Sequence, residues 1–177
     1  EFRRVLFRSY DSIYRDNDCI YYKKKEEDAR KPHRFFKPNC RVSIEWNGGK
    51  NFEIFTNEDG LRDRSREEFR DGAVAILGDS HVEGFAFPIE QSIGRRIEAL
   101  AGSSLGGKVL NLGFRGSGPS EQLRILDWIR PHYKIVGAVW ILTENDILDE
   151  FYYNRLDQGG RITWLSQTLT VISEKFF

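Results

Sequence analysis

Residues 73–84 read AVAILGDSHVEG, and this stretch decides the fold. Its first five residues form a short apolar run without polar alternation, which is typical of a strand buried on both faces. Gly78-Asp79-Ser80 then supplies the chemistry of a tight turn. A buried strand that turns directly towards a helical segment predicts an α/β protein with a parallel sheet.

The same succession of strand and helix continues along the chain. Strand-like apolar runs lie at residues 73–77, 108–112 and 135–142. Apolar helical stripes are formed by Ile93, Ile97 and Leu100, and by Leu123, Leu126 and Ile129. Gly118-Pro119 opens the second of these helices, with Pro at its first position. The order predicts a doubly wound, three-layer parallel sheet with right-handed crossovers. A further helix is expected at Trp164, Leu165, Leu169 and Ile172.

A β-hairpin is predicted before this core. Apolar residues alternate with polar ones on either side of a turn at residues 47–49, and they are Val42, Ile44, Trp46, Phe52 and Ile54. This alternation is typical of a half-buried two-stranded ribbon. We expect the hairpin to be an appendage packed against the main domain.

Three segments are expected along the chain. Residues 1–9 resemble the translation of a sequencing adapter and are excluded from the fold. Residues 10–71 form an N-terminal extension with the hairpin, and residues 72–177 form the α/β core. Because the helical pattern runs into Phe177 without a cap or breaker, we expect the core to be cut short there.

Composition excludes some classes of function. Lys plus Arg and Asp plus Glu both number 27, and the basic residues are scattered, so no nucleic-acid partner is expected. No apolar run approaches membrane-spanning length, so no membrane segment is expected. Cys19 and Cys40 could pair in an oxidising compartment, but two unpaired thiols are the simpler interpretation.

Polar residues follow each predicted strand, where ligands collect in parallel sheets. Ser80 on the first turn could be a nucleophile, although Ser80-x-x-Glu83 is also a capping box that needs no catalysis. The second strand precedes a glycine-rich loop at residues 111–118, which could present backbone N–H groups or simply be flexible. The third precedes Asn145 and Asp146, either of which could cap a helix.

Together these segments resemble blocks I, II and III of the SGNH/GDSL hydrolase family. The motifs are G-D-S followed by Gly84, N-x-G-x-x-G from Asn111, and E-N-D around Asn145. Residues 56–63, TNEDGLRD, also resemble a segment that precedes G-D-S in many bacterial members. The resemblance implies a flavodoxin-like α/β fold and a serine nucleophile at Ser80. It also implies oxyanion donors at the Gly116 backbone N–H and the Asn145 side chain, with Asp79 in support.

The family's general base is missing from this sequence. The family supplies it from a D-x-x-H block near its C-terminus, and no such block is present. The histidines are His33, His81 and His132, all before the place where the family's catalytic histidine falls. His81 adjoins Ser80, but neighbouring side chains on a turn point to different sides, and His132 is expected on the surface. We therefore expect the base to lie beyond residue 177, and the chain itself to turn over little substrate.

The resemblance implies a serine ester hydrolase without metal or cofactor, acting on a small-molecule, carbohydrate or lipid ester. Phe151 and Tyr152 could line the acyl or sugar pocket, although core packing is the simpler role. Alternatives are a non-catalytic binding protein on the same fold, or a polysaccharide O-acyltransferase of the same type. A flavodoxin-like binder of a phosphorylated ligand is disfavoured because neither G-x-x-x-x-G-K-[ST] nor G-x-G-x-x-G is present.

Overall fold

A computed structural model describes residues 19–23, 28, 30–46 and 50–157. Side chains are described for these residues except 44–46, 50, 51, 103 and 152–157. The predicted turn at residues 47–49, the segment 1–9 and the predicted helix around Trp164 lie outside the described residues.

The chain is an α/β protein built around a three-stranded parallel sheet. The strands are β1 Ile20–Tyr22, β2 Arg34–Phe36, β3 Arg41–Trp46, β4 Lys50–Phe55, β5 Ala73–Leu77, β6 Lys108–Asn111 and β7 Ile135–Trp140. The helices are α1 Ser80–Glu83, α2 Ile93–Ala101, α3 Pro119–Ile129 and α4 Glu144–Asp157. Short 3₁₀ turns lie at Arg66–Phe69, Ile89–Gln91, Gly102–Leu105 and Arg130–His132. The sheet has the order β6-β5-β7, so the first strand of the core is central, as its uninterrupted apolar run predicts.

Helices cover both faces of the central strand. Ala73, Ala75 and Leu77 point to one face, where they join the buried residues of α3. Ile76 points to the other face and packs with Val109 and with Ile93 and Ile97 of α2. β7 is less covered within the described part of the chain, because Val136 and Val139 remain 49% and 45% exposed.

The segment before the core contributes two antiparallel ribbons. The predicted hairpin is confirmed, with β3 pairing β4 from Arg41 opposite Phe55 to Trp46 opposite Lys50. A second ribbon, β1 with β2, was not anticipated. Phe35 and Phe36 of β2 are buried and their rings contact Phe114 in the loop after β6. The N-terminal ribbons and the parallel sheet thus share one hydrophobic cluster.

Three expectations about individual residues are wrong. Leu100 is 89% exposed, because α2 turns it away from the sheet. Leu123 is 43% exposed, whereas Ile129 is buried as predicted, and the other buried residues of α3 are Glu121, Gln122 and Ile125. Cys19 and Cys40 are not free thiols but form a disulfide, which joins β1 to the start of β3. No helix among the described residues is long and apolar enough to cross a bilayer.

Candidate active site at the carboxyl edge of the sheet

The turn at Gly78 and Asp79 joins the ends of all three parallel strands. The Phe114 N–H, in the loop after β6, donates to the Gly78 carbonyl oxygen at 3.1 Å. The Asn145 amide, at the start of α4 after β7, donates to the Asp79 carboxylate at 2.9 Å. The three segments that carry the sequence motifs therefore meet directly beside Ser80.

Ser80 is the first residue of α1, and the helix cap is its neighbour Asp79. The Asp79 carboxylate accepts the His81 N–H at 2.9 Å, so the expectation of a capping box from Ser80 to Glu83 is wrong. Ser80 is partly exposed, and its hydroxyl makes no hydrogen bond with any described residue. The local structure thus leaves the Ser80 hydroxyl without a structural role.

Glu83 ties the helix of Ser80 to the loop after β6. Its fully buried carboxylate accepts the Arg115 backbone N–H at 2.8 Å and the Arg115 Nε at 3.0 Å, and it also pairs with Arg115 Nη2. The guanidinium stacks on the Phe85 ring, 4.1 Å from its centroid. Helix and loop approach so closely that a Cβ at Gly113 would lie 2.1 Å from the Glu83 backbone nitrogen. Only glycine fits at position 113.

Gly116 carries a backbone N–H that has no acceptor among the described residues. Four other N–H groups of this loop are engaged: Gly113 with Asn111 Oδ1, Phe114 with Gly78, Arg115 with Glu83, and Ser117 with Phe114. Gly116 itself has a φ of 62°, a conformation that favours glycine. Among the described residues the Gly118 N–H also lacks an acceptor, and the Gly116 N–H is the one that the family resemblance assigns to the oxyanion hole.

Asn145 is held by two carboxylates. Its Nδ2 lies 2.9 Å from Asp79 Oδ2 and 3.2 Å from Asp149 Oδ2, while its Oδ1 accepts the Thr143 hydroxyl. Asn145 does not cap α4. Asp146 is not the N-cap either, because both residues lie in the first turn of α4, which begins at Glu144. The Asp146 carboxylate instead accepts the N–H of Thr143, the residue before the helix, at 2.5 Å.

The two carboxylates beside Asn145 have opposite pKa shifts. Burial raises the pKa of Asp79, but hydrogen bonds from Asn145 and from the His81 backbone and ring outweigh burial and hold it below its ordinary value. Burial also raises the pKa of Asp149. The hydrogen bond from Asn145 lowers it, but the nearby Asp146 charge raises it again, so it stays above its ordinary value. Asp79 is thus the stable anion of the site, and Asp149 is the one that protonates more easily.

The histidines do not supply a base to Ser80 within the described residues. The His81 ring is 63% exposed, and its Nδ1 lies 3.0 Å from Asp79 Oδ1. His33 Nδ1 lies 2.8 Å from Glu121. His132 is exposed beside the amino end of β7, as expected.

The residues predicted to line a substrate pocket are only partly described. Phe151 is half-buried on α4, and the side chain of Tyr152 lies outside the described residues, so a pocket for an acyl or sugar group stays a prediction. A pocket of about 450 Å³ lies at the opposite, amino edge of the sheet, lined by residues that include Glu68, Glu98 and Lys108. No group of metal-ligating side chains is brought together in the described part of the chain.

Sequence reasoning missed the charged residues that hold the site in place. Arg62 is 2% exposed and donates to the Glu83 and Gly84 carbonyl oxygens at 3.1 and 2.6 Å. Asp63 accepts the Asn111 N–H at 2.8 Å and pairs with Arg95. The resemblance of residues 56–63 to a segment found before G-D-S was the available signal, but it named no contact. Arg62 thus binds the end of the helix that begins with Ser80, and Asp63 binds the end of β6.

Comparison with known proteins adds no assignment: no family model matches the chain, and no curated protein matches it significantly.

Proposed function

We propose that this chain carries the nucleophile and oxyanion hole of a serine ester hydrolase of the SGNH/GDSL type. Ser80 attacks the ester carbonyl and becomes acylated, and the alcohol leaves. The N–H groups of Ser80 and Gly116 and the amide of Asn145 stabilise the negative charge that develops on the carbonyl oxygen. The core is then the doubly wound, flavodoxin-like sheet of that family.

One observation carries the proposal: the Gly78-Asp79 turn is hydrogen-bonded to both other motif segments, through Phe114 and through Asn145. A helix cap or a flexible glycine loop does not require this convergence. An oxyanion hole does, because its donors must be fixed before charge develops. The partly exposed Ser80 hydroxyl directly follows this turn, and the unengaged Gly116 N–H lies two residues after Phe114, which is hydrogen-bonded to it.

Asn145 can act as a donor by exchanging one acceptor for another. Asp149 is the more distant of its two carboxylates, at 3.2 Å against 2.9 Å for Asp79. A substrate oxyanion that takes the place of Asp149 leaves Asp79 to orient the amide.

We assign no residue of this chain as the general base. A serine hydroxyl attacks slowly without a base, and an acyl-enzyme is hydrolysed slowly for the same reason. We therefore expect slow acylation followed by still slower release. The ester can be of a small molecule, a carbohydrate or a lipid, and a carbohydrate hydroxyl in place of water makes the protein an O-acyltransferase.

Release of p-nitrophenol from p-nitrophenyl acetate tests this function. The wild-type chain should release a burst of about one equivalent over the background rate and then almost none. Ser80→Ala should abolish the burst. Ser65→Ala is the matched control, since Ser65 likewise lies at the start of a helical turn and its side chain makes no capping hydrogen bond. An equal burst from Ser80→Ala contradicts the assignment of the nucleophile.

A non-catalytic binding protein on the same fold is the second candidate. The observation in its favour is that no histidine ring is hydrogen-bonded to the Ser80 hydroxyl within the described residues. In that case the wild type shows no burst.

A further inference from the structure

The loop that carries Gly116 is a tight turn whose central peptide can point in two directions. The Ser117 N–H donates to the Phe114 carbonyl oxygen at 3.2 Å, which closes a four-residue turn. Gly116, the third residue of that turn, has a φ of 62°. A positive φ at this position belongs to a type II turn, and rotation of the central peptide by about 180° converts it to type I. Glycine tolerates both, so the direction of the Gly116 N–H must be set by its surroundings.

Arg34 contacts this peptide from the N-terminal segment. Its Nη2 lies 2.9 Å from the Gly116 carbonyl oxygen and 3.4 Å from the Arg115 carbonyl oxygen. The C=O of Arg115 and the N–H of Gly116 belong to the same trans peptide and point in opposite directions. The Arg34 guanidinium beside the Arg115 carbonyl oxygen therefore keeps the Gly116 N–H on the side of the peptide that faces away from Arg34. There the N–H meets no acceptor among the described residues.

Arg34 is itself anchored firmly. Its backbone N–H donates to the buried Glu121 carboxylate of α3 at 3.1 Å. It lies opposite Tyr22 in the β1–β2 ribbon, and the ring of Phe36, two residues further on, packs edge-on against Phe114 at 4.9 Å. The ribbon thus holds the Arg34 backbone against the same loop that its guanidinium contacts.

We propose that Arg34 is a positioning residue for the oxyanion hole, which fixes the Gly116 N–H in the direction that a substrate oxyanion requires. The proposal rests on the proposed function. It makes the β1–β2 ribbon part of the catalytic apparatus rather than an appendage. Loss of one oxyanion donor slows acyl transfer by ~10²–10³-fold, and a flipped Gly116 peptide is equivalent to such a loss.

The direction of the Gly116 N–H is measured by residual dipolar couplings in the weakly aligned, ¹⁵N-labelled chain. Arg34→Gln should change the coupling of Gly116 while the couplings of Val74 and Ala75 in the central strand stay at their wild-type values. Arg41→Gln is the control, because Arg41 lies in the same segment but is 72% exposed and pairs only with Glu53. An unchanged Gly116 coupling in Arg34→Gln overturns the proposal.

Acylation of Ser80 by p-nitrophenyl acetate provides the second readout. Arg34→Gln should lower the acylation rate constant ~10²-fold without raising the half-saturating ester concentration, because the donor acts in the transition state. Arg34→Lys should recover most of the rate, since a single nitrogen serves both carbonyls and an ammonium can replace it. If Arg34→Gln does not fold, the lysine variant decides: a wild-type coupling supports the proposal, and a flipped one contradicts it.

The two measurements separate the two proposals. A changed Gly116 coupling together with no acylation of wild-type Ser80 leaves the positioning contact standing and contradicts the hydrolase. Normal acylation in Arg34→Gln contradicts the role of Arg34 and leaves the hydrolase standing.

Discussion

The amide nitrogen of Asn145 lies 2.9 Å from a carboxylate oxygen of Asp79, so the residue before the candidate nucleophile orients the side chain at the end of another strand. The same carboxylate caps α1 through the His81 N–H and lies 3.1 Å from the Thr143 hydroxyl oxygen. Asp79 therefore both stabilises the turn and orients the Asn145 side chain.

Replacing Asp79 should affect both. Asp79→Ala should lower the free energy of unfolding by about 2 kcal/mol, because a helix cap and buried donors lose their acceptor. It should also slow acylation of Ser80, since Asn145 is released. Ser92→Ala removes the cap of α2, where Ser92 accepts the Arg95 N–H. This control should cost about 1 kcal/mol and leave acylation unchanged, as measured by urea unfolding and ester kinetics. Equal acylation in the two variants would contradict the link between Asp79 and Asn145.

The buried pair of Glu83 and Arg115 should be costly to break. Glu83→Gln leaves the Arg115 charge buried without a counter-ion and should destabilise the fold by about 3–5 kcal/mol. The exposed pair of Glu67 and Arg70 provides the control, because Glu67→Gln should change stability by less than about 1 kcal/mol. Urea unfolding at neutral pH measures both variants. A small cost at Glu83 would show that water reaches the pair in solution.

Asp149 gives stability a characteristic pH dependence. Its pKa is raised in the folded chain, so its contribution is fully present below the ordinary value of 3.8 and is lost as the pH rises through the folded pKa. Asp149→Asn removes this loss while keeping an oxygen for Asn145. The variant should therefore become more stable relative to the wild type as the pH rises from 3.8, as followed by thermal melting across a pH series. Asp79→Asn should show the opposite trend below 3.8, because the stability that the lowered pKa of Asp79 contributes is fully present above 3.8 and is lost as the pH falls through the folded pKa. Parallel stability curves for Asp149→Asn and the wild type would exclude the shift.

Reduction of the disulfide should loosen the N-terminal ribbons. Cys19 and Cys40 are 21 residues apart, and a cross-link closing a loop of that length contributes roughly 3 kcal/mol. Dithiothreitol should lower the Tm of the wild type and leave the Tm of a Cys19→Ser/Cys40→Ser variant unchanged. A wild-type Tm that is insensitive to dithiothreitol contradicts the disulfide.

The strands and helices of the core follow from local patterns in the sequence. Residues 73–77 are wholly apolar and form the central strand, and Pro119 begins the second long helix as its fixed φ predicts. Leu100 shows the limit of periodicity, since a helix of nine residues buries only the part of its apolar face that meets the sheet.

The site is harder to predict from local patterns because the residues that contact one another there are far apart in the sequence. Ser80, Gly116 and Asn145 could be named from motifs, but the residues that fix them could not. Arg34 and Gly116 are 82 residues apart, and Glu83 and Arg115 are 32 apart. No periodicity or spacing encodes a buried charge pair of this kind. The disulfide was missed for the same reason, since only the β1–β2 ribbon brings the two cysteines together.

The central claim, that Ser80 is a nucleophile served by an oxyanion hole, is tested most directly by locating the acyl group. The wild-type chain is incubated with p-nitrophenyl acetate, and the acetylated peptide is identified by mass spectrometry after proteolysis. We predict one acetyl group on Ser80, absent from Ser80→Ala and retained in Ser65→Ala. Acetylation confined to lysines, or equal in the wild type and Ser80→Ala, would contradict the account.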